Sequence, residues 1–282
     1  MSPTRFVALL AAVLGALALL VAGAVRAAPR ADFGDRAFKS GPIQVSADGR
    51  WVWAANALTD SVYRIDARDF SVRAFLLPEP ATVDSPRGLS VREDGEEVWV
   101  AAHDTDRVYV LDGESGAIRA TIQLPWGSGP YSVALSRPDP ATGRQRWAMV
   151  TLHRANRLAA IDTATREVLP LGEVFVTPHG IVFTEDGTSA WVNHLLVTDE
   201  HPQLVRVDLT GERPYVATRI GGFAASPQHN PRLRQDDAAK NVAEGGYLNF
   251  RGHPAQIPSS TGLLQLWLPT QYHNMHADAF TP

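Results

Sequence analysis

Two markers keep one period along the chain, and together they predict an all-β fold. Trp53, Trp99, Trp147 and Trp191 are separated by 46, 48 and 44 residues, and Asp66, Asp112, Asp162 and Asp208 by 46, 50 and 46. Within each period the same order recurs: an apolar alternation, a turn, a Trp-containing alternation, a polar loop, a third alternation ending in Ile-Asp or a near equivalent, and a fourth. A lone four-stranded unit cannot bury both of its faces, and units at this period stack radially as blades. The predicted architecture is a β-propeller of four-stranded antiparallel blades, four complete plus half of a fifth, in an incomplete ring.

The chain opens on a predicted signal peptide, residues 1–27. Arg5 supplies a positive start, Phe6 to Val25 carries no charge, and Val25-Arg26-Ala27 offers small residues at the −3 and −1 positions of a cleavage site. The alternative is an uncleaved anchor, since an apolar run of about 20 residues can span a bilayer. No twin-arginine pair precedes the run, which points to export of the unfolded chain to the periplasm or medium. Residues 28–40 follow as a linker. Residues 41–282 form the propeller.

The second unit shows the blade pattern most clearly. Gly88-Leu89-Ser90-Val91 alternates as a half-buried strand, and Asp94-Gly95 suits a tight hairpin because such turns need positive φ values. Val98-Trp99-Val100-Ala101 is the second strand, Arg107 to Leu111 the third and Ala117 to Leu124 the fourth. Asp48-Gly49 and Asp186-Gly187 occupy the first turn in units one and four, while unit three expands it to the stretch Arg137 to Gly143.

Val52-Trp53-Ala54-Ala55-Asn56, followed by a strand ending in Ile65-Asp66, resembles the YVTN-type β-propeller repeat family, as does Ile161-Asp162. The resemblance covers roughly residues 40–223. It implies the propeller fold, and a function among the several such propellers serve: binding, scaffolding, hydrolysis or redox chemistry. Residues 224–251 break the period and are expected to be a polar insertion between blades. Gly252 to Ile257 and Leu264 to Leu268 then resume it as two strands of a fifth blade. A rival closes a five-blade ring with a strand from residues 31–40. The half-blade edge suggests a protein partner or a further C-terminal domain, and propellers resembling this one occur joined to c-type cytochrome or di-haem peroxidase-like domains.

Histidines mark one side of the predicted propeller. His103, His153, His194 and His273 each end a second strand, while His179 and His253, like Arg87 and Tyr131, lead into a first strand. Second-strand exits and first-strand starts share one end of a blade, so these residues should gather around one mouth of the central channel. His103, His153, His194, His273 and His276 are candidate metal ligands, for copper, zinc or iron. Arg87, Tyr131, His179 and His253 are candidate contacts for a small ligand. Taken singly, each His has the plainer explanation of ending its strand against a loop carbonyl. The repeated Trp reads as inter-blade core, and the repeated Asp as a cap on the third turn at the opposite face.

Composition narrows the function. With 45% hydrophobic residues, 20% charged residues, 22 Gly, 20 Pro and no Cys, the 282-residue chain is neither disordered nor disulfide-stapled. The absence of Cys excludes thiolate metal sites and covalent c-type haem in this chain. The 26 basic residues include only Lys39 and Lys240 as lysines, and the net charge of −4 offers no footprint for nucleic acid. No nucleophile elbow, zinc-protease motif or phosphate loop is visible. What remains is a periplasmic binding or scaffold module with no membrane contact after signal cleavage, and the resemblance to propellers joined to cytochromes implies a place in a redox assembly. A lactonase-like or metal-dependent enzyme using the histidine mouth is the alternative.

Overall fold

The computed structural model describes residues 41–77, 84–194, 204–220, 247–249, 255–258, 264–267 and 271–273. All of them belong to one compact unit, Ala37–Pro282. The predicted signal peptide, the linker 28–40, most of the insertion 224–251, His253 and His276 lie outside the described residues.

Four antiparallel sheets follow in chain order, each with its strands in sequence order. Blade one holds β1 (Ile43–Val45), β2 (Trp51–Asn56), β3 (Ser61–Asp66) and β4 (Val72–Leu76). Blade two holds β5 (Pro86–Val91), β6 (Glu97–Ala102), β7 (Arg107–Asp112) and β8 (Ile118–Gln123). Blade three holds β9 (Pro130–Leu135), β10 (Trp147–Leu152), β11 (Arg157–Asp162) and β12 (Val168–Glu173), and blade four β13 (Pro178–Phe183), β14 (Ser189–His194), β15 (Leu204–Asp208) and β16 (Tyr215–Ile220). The described residues contain no α-helix. The propeller expectation holds, with four complete blades.

Two further strand pairs follow. β18 (Ala255–Pro258) pairs with β19 (Leu264–Trp267), as the fifth-blade pattern predicts. β17 (Tyr247–Asn249) pairs with β20 (Gln271–His273), so the expected insertion contains a strand at its end that its polar composition hid.

Period-two alternation splits each central strand between two interfaces. In β6, Val98, Val100 and Ala102 pack toward blade one, while Trp99 and Ala101 pack toward blade three. In β10, Trp147 and Met149 face blade four, and Ala148, Val150 and Leu152 face blade two. Trp53, Trp99 and Trp147 are buried inter-blade residues as expected. Trp191 sits on the face of blade four turned away from blade three and is only half-buried. Among the described residues, no apolar cluster joins blade four to blade one.

The first turns differ from the expected pair of positive φ values. Only the glycines adopt them, at 71° for Gly49, 76° for Gly95 and 69° for Gly187. The preceding Asp keeps ordinary geometry and accepts the N–H two residues on, as Asp94 Oδ1 does from Glu96 at 2.9 Å. The repeated Asp residues cap the third turns as predicted: Asp112 Oδ1 accepts Ser115 N–H at 2.6 Å, and Asp162 Oδ1 accepts Ala164 N–H at 2.8 Å.

Since Trp99 is fully buried between two blades and Trp191 is not, their truncations should differ. Trp99→Ala is expected to cost about 3–5 kcal/mol, and Trp191→Ala clearly less. Urea denaturation of the two variants beside the wild type measures the difference.

Candidate functional site

The mouth is built by a repeated corner. The residue before each inner-blade proline has a left-handed backbone: Ser85 at φ 48°, Gly129 at 54° and Thr177 at 53°. Such a conformation strains a non-glycine residue and persists only where neighbours enforce it. Here the neighbour is the preceding blade. Ser85 N–H donates to Asp60 Oδ1 at 2.8 Å, Gly129 N–H to Asp106 Oδ1 at 2.7 Å, and Thr177 N–H to Asn156 Oδ1 at 3.0 Å. Asp60, Asp106 and Asn156 are themselves left-handed, at φ 46°, 55° and 57°, and end the turn before their third strands.

After the corner each first strand carries a bulge. β5 skips Arg87 between the pairs Pro86↔Ala102 and Gly88↔Ala101, and β9 skips Tyr131 between Pro130↔Leu152 and Ser132↔Thr151. β13 skips His179 and Gly180 between Pro178↔His194 and Ile181↔Val192. A bulge re-aims its extra residue, so Arg87, Tyr131 and His179 occupy equivalent re-aimed positions. Gly88 is required beside them, because a Cβ there would lie 2.7 Å from the Tyr131 carbonyl oxygen. Second-strand exits are tied to the same corners: His103 N–H donates to Ser85 O at 3.2 Å and His153 N–H to Gly129 O at 2.9 Å.

These ties bring four of the predicted residues together. Tyr131 lies 4.6 Å from His179, 5.0 Å from His153 and 6.0 Å from His103 by ring centroids, and His103 lies 5.9 Å from His153. Arg87 is exposed and acts on both His103 and His153 through its charge. His194 occupies a different position on its strand. It is the last residue of β14, equivalent to Ala102 and Leu152, whereas His103 and His153 are one residue beyond β6 and β10. One residue reverses the side of the sheet, and the His194 ring packs on Phe175 at 5.1 Å. His273 ends β20 opposite Tyr247. Among the described residues, no group of three or more His, Asp or Glu is arranged to hold a metal ion.

The electrostatics fix the proton positions. His103 Nδ1 lies 2.9 Å from Asp104 Oδ1, and Arg154 also donates to Asp104. Burial would raise the Asp104 pKa, but hydrogen bonds from Ser85, His103 and Arg154 hold it at about 2. An ionised carboxylate only accepts, so His103 Nδ1 carries the proton. Burial, with help from Arg154 and Arg87, outweighs the Asp104 contacts and lowers the His103 pKa. The ring is therefore neutral near pH 7, and its buried Nε2, without a hydrogen-bond partner, is a lone pair. Burial first, then the charges of His103, Arg154 and Arg87, depress His153 to about 4, and its Nε2 is also buried and unpartnered.

Two residues of this face escaped the sequence. Trp126, in the loop leading to Gly129, is 96% exposed and presents a large amphipathic ring to solvent. Asp106, 6% exposed, holds both Gly127 N–H and Gly129 N–H. Its signal was present, because Asp60, Asp106 and Asn156 are separated by 46 and 50 residues, the first two intervals of the Asp66 series.

A cavity of about 730 Å³ opens at the opposite end between blades one and two, near Arg50, Trp51, Arg64 and Glu96. Arg64 is engaged there, donating to the carbonyls of Gly113 at 2.7 Å and Glu114 at 2.9 Å. The mouth is the stronger candidate, since it leaves two imidazole nitrogens buried without partners.

Fold and mouth together define a β-propeller with a polar aromatic cluster on one face. The family model for the lactonase 7-bladed beta-propeller matches residues 14–134. No curated protein matches the sequence. Among solved structures, Kuenenia stuttgartiensis hydrazine synthase is similar at 22% identity and TM-score 0.54, over 64% of this chain and 48% of that one. A Desulfotomaculum acetoxidans protein of unknown function is similar at 13% identity and TM-score 0.51, over 81% and 62%. A candidate 6-phosphogluconolactonase from Bacteroides uniformis is similar at 12% identity and TM-score 0.52, over 82% and 73%. The chain thus spans about half of the hydrazine synthase chain and less than two thirds of the Desulfotomaculum protein. These likenesses establish the fold.

Two predictions follow from the mouth. Asp106→Ala strands two N–H donors and should cost about 2–3 kcal/mol, while Asp106→Asn, which keeps the acceptor that Asn156 supplies in blade three, should cost less; chemical denaturation separates them. The second concerns acid. His103 and His153 have folded pKa values below the unfolded value of about 6.5, so the unfolded state takes up protons first. Stability should be full above about pH 6.5 and fall as pH drops toward 4. Melting temperature against pH should show this slope, and His153→Gln should flatten it.

Proposed function

We propose that the chain is an exported binding module whose mouth takes a small anion bearing a hydroxyl group. The observation that carries this is the His103 Nε2 lone pair, buried, unpartnered and fixed as an acceptor by Asp104. A ligand hydroxyl can donate to it. Arg87 and Arg154, whose positive charges lower both histidines, attract an anion in the same space and disfavour a metal cation there. Trp126 offers an aromatic face at the rim. A scaffold role in a redox assembly, reached through a protein partner or a further domain, extends this reading and rests on the analogy with propellers joined to cytochromes.

A second reading is lactone hydrolysis. It is favoured by the family match over residues 14–134 and by the Asp104–His103 pair, in which a carboxylate orients an imidazole and leaves Nε2 to accept a proton from water. His153, at about 4, is too weak a base for this near neutrality.

Calorimetric titration with hydroxy-carboxylates, sugar phosphates and lactones tests both readings. Binding by the wild type, weakened roughly ten-fold or more in Arg87→Ala and His103→Phe, is expected. Failure of every ligand to bind, or equal binding by the variants, would overturn the proposal. Proton release from a lactone that disappears in His103→Phe would favour the enzyme.

A further inference from the structure

We infer that the ligand of the mouth is an aromatic hydroxy-acid, a ring carrying one carboxylate and one phenolic hydroxyl, and that Trp126 is the platform on which this ring stacks. The inference rests on the mouth as a site for a hydroxylated anion and names the body that joins the two polar groups.

Trp126 is fixed beside the mouth by the loop that carries it. Ser128 N–H donates to Pro125 O at 3.2 Å and Gly127 N–H to Asp106 Oδ2 at 2.7 Å, so the backbone on both sides of the indole is tied down. Ser128 O in turn accepts the N–H groups of Arg154 at 3.1 Å and Ala155 at 3.4 Å. Arg154 lies along the same loop, since a Cβ on Gly129 would stand 2.6 Å from its Cγ. Its guanidinium donates to Asp104, the carboxylate that orients His103. The Trp126 loop, Arg154, Asp104 and His103 are thus one bonded series, and the indole stands 96% exposed on it. A ring on a loop already fixed costs little further ordering when a ligand stacks on it.

The polar groups of the mouth decide the ligand's body. The described mouth offers one acceptor held ready by its neighbour, His103 Nε2, and two cationic donors, Arg87 and Arg154. The other walls are rings: Tyr131 packs against His179 and His153 with centroids 4.6 and 5.0 Å away. A polyhydroxylated acid would set most of its hydroxyls against ring faces, where they lose water without gaining partners. A short aliphatic hydroxy-acid would satisfy the polar groups and leave Trp126 unused. An aromatic hydroxy-acid gives its phenolic O–H to His103, its carboxylate to the guanidinium groups and its flat ring to the aromatic faces.

Calorimetric titration of the full chain with 3- and 4-hydroxybenzoate, benzoate, lactate and gluconate tests this. One of the hydroxybenzoates should bind the wild type roughly ten-fold or more tightly than the other three acids. Trp126→Ala should weaken that binding roughly three- to ten-fold, Trp126→Phe should keep most of it, and lactate should bind both variants as it binds the wild type. Circular dichroism confirms the fold of each variant. Hydroxybenzoate binding unchanged in Trp126→Ala, or lactate or gluconate binding as tightly as the hydroxybenzoates, with His103→Phe still weakening the complex, would overturn the inference and leave the hydroxy-anion site standing. Benzoate binding as tightly as the hydroxybenzoates, binding indifferent to His103→Phe, or no binding of any probe would overturn both.

Discussion

The mouth depends on one interaction repeated between neighbouring blades: the side-chain oxygen of an Asx residue on the N–H of the left-handed residue before the next blade's proline. Without it, Ser85 and Thr177 would relax from conformations unfavourable to their side chains. The lead-in to β5, β9 or β13 would then turn differently. The bulges that place Arg87, Tyr131 and His179 follow these corners directly, and the exits bearing His103 and His153 are bonded to the corners' carbonyls. Blade one marks the limit of the series. Its Pro42 follows Gly41, β1 pairs with β2 without a register shift, and Ile43 stands where the other blades carry a polar or aromatic side chain.

The arginine bias has a structural outlet at the blade interfaces. Arg64 stacks 4.2 Å from the Trp51 ring and donates into the third turn of blade two, and Arg146 stacks on Trp147 while reaching Glu212 O of blade four at 2.7 Å. Arg166 lies over Trp99 and donates to Glu97 of blade two at 2.6 Å, and Arg219 reaches back to Glu173 O of blade three at 2.6 Å. A guanidinium can cover an aromatic face and present several directed donors at once, which an ammonium cannot. Acceptors that are mostly backbone carbonyls explain why this network has no counterpart in the chain's acidic pattern.

Blade number, strand order and the inter-blade role of Trp53, Trp99 and Trp147 were legible in the sequence, because period-two alternation and Asp-Gly turns are local properties. The mouth was legible only in part. His194 was grouped with His103 and His153 because all three end a second strand, but His103 and His153 stand one residue beyond β6 and β10, whereas His194 is the last residue of β14. Burial depends on the end of the strand, and there His194 falls on the other side. Asp60, Asp106 and Asn156 went unseen although they keep the same intervals as the Asp66 series. Their partners are backbone N–H groups of the next blade, and backbone donors leave no mark in a sequence.

The field at the mouth limits what the proposed ligand can be. Two imidazoles about 6 Å apart would ordinarily suggest a shared cation. Here burial first, then the Arg87 and Arg154 charges, keeps the rings neutral; those charges also act against a cation placed between them, and Asp104 is already held by Arg154 and His103. Neutral rings in a positive field offer a lone pair beside cationic donors. That pairing suits a molecule carrying both a hydroxyl and a negative charge, and it discriminates against a ligand with only one of the two. An apolar ligand would leave the nitrogens as unsatisfied as they already are and forgo the hydrogen bond a hydroxyl could give, and an anion without a donor would leave the His103 lone pair facing negative charge.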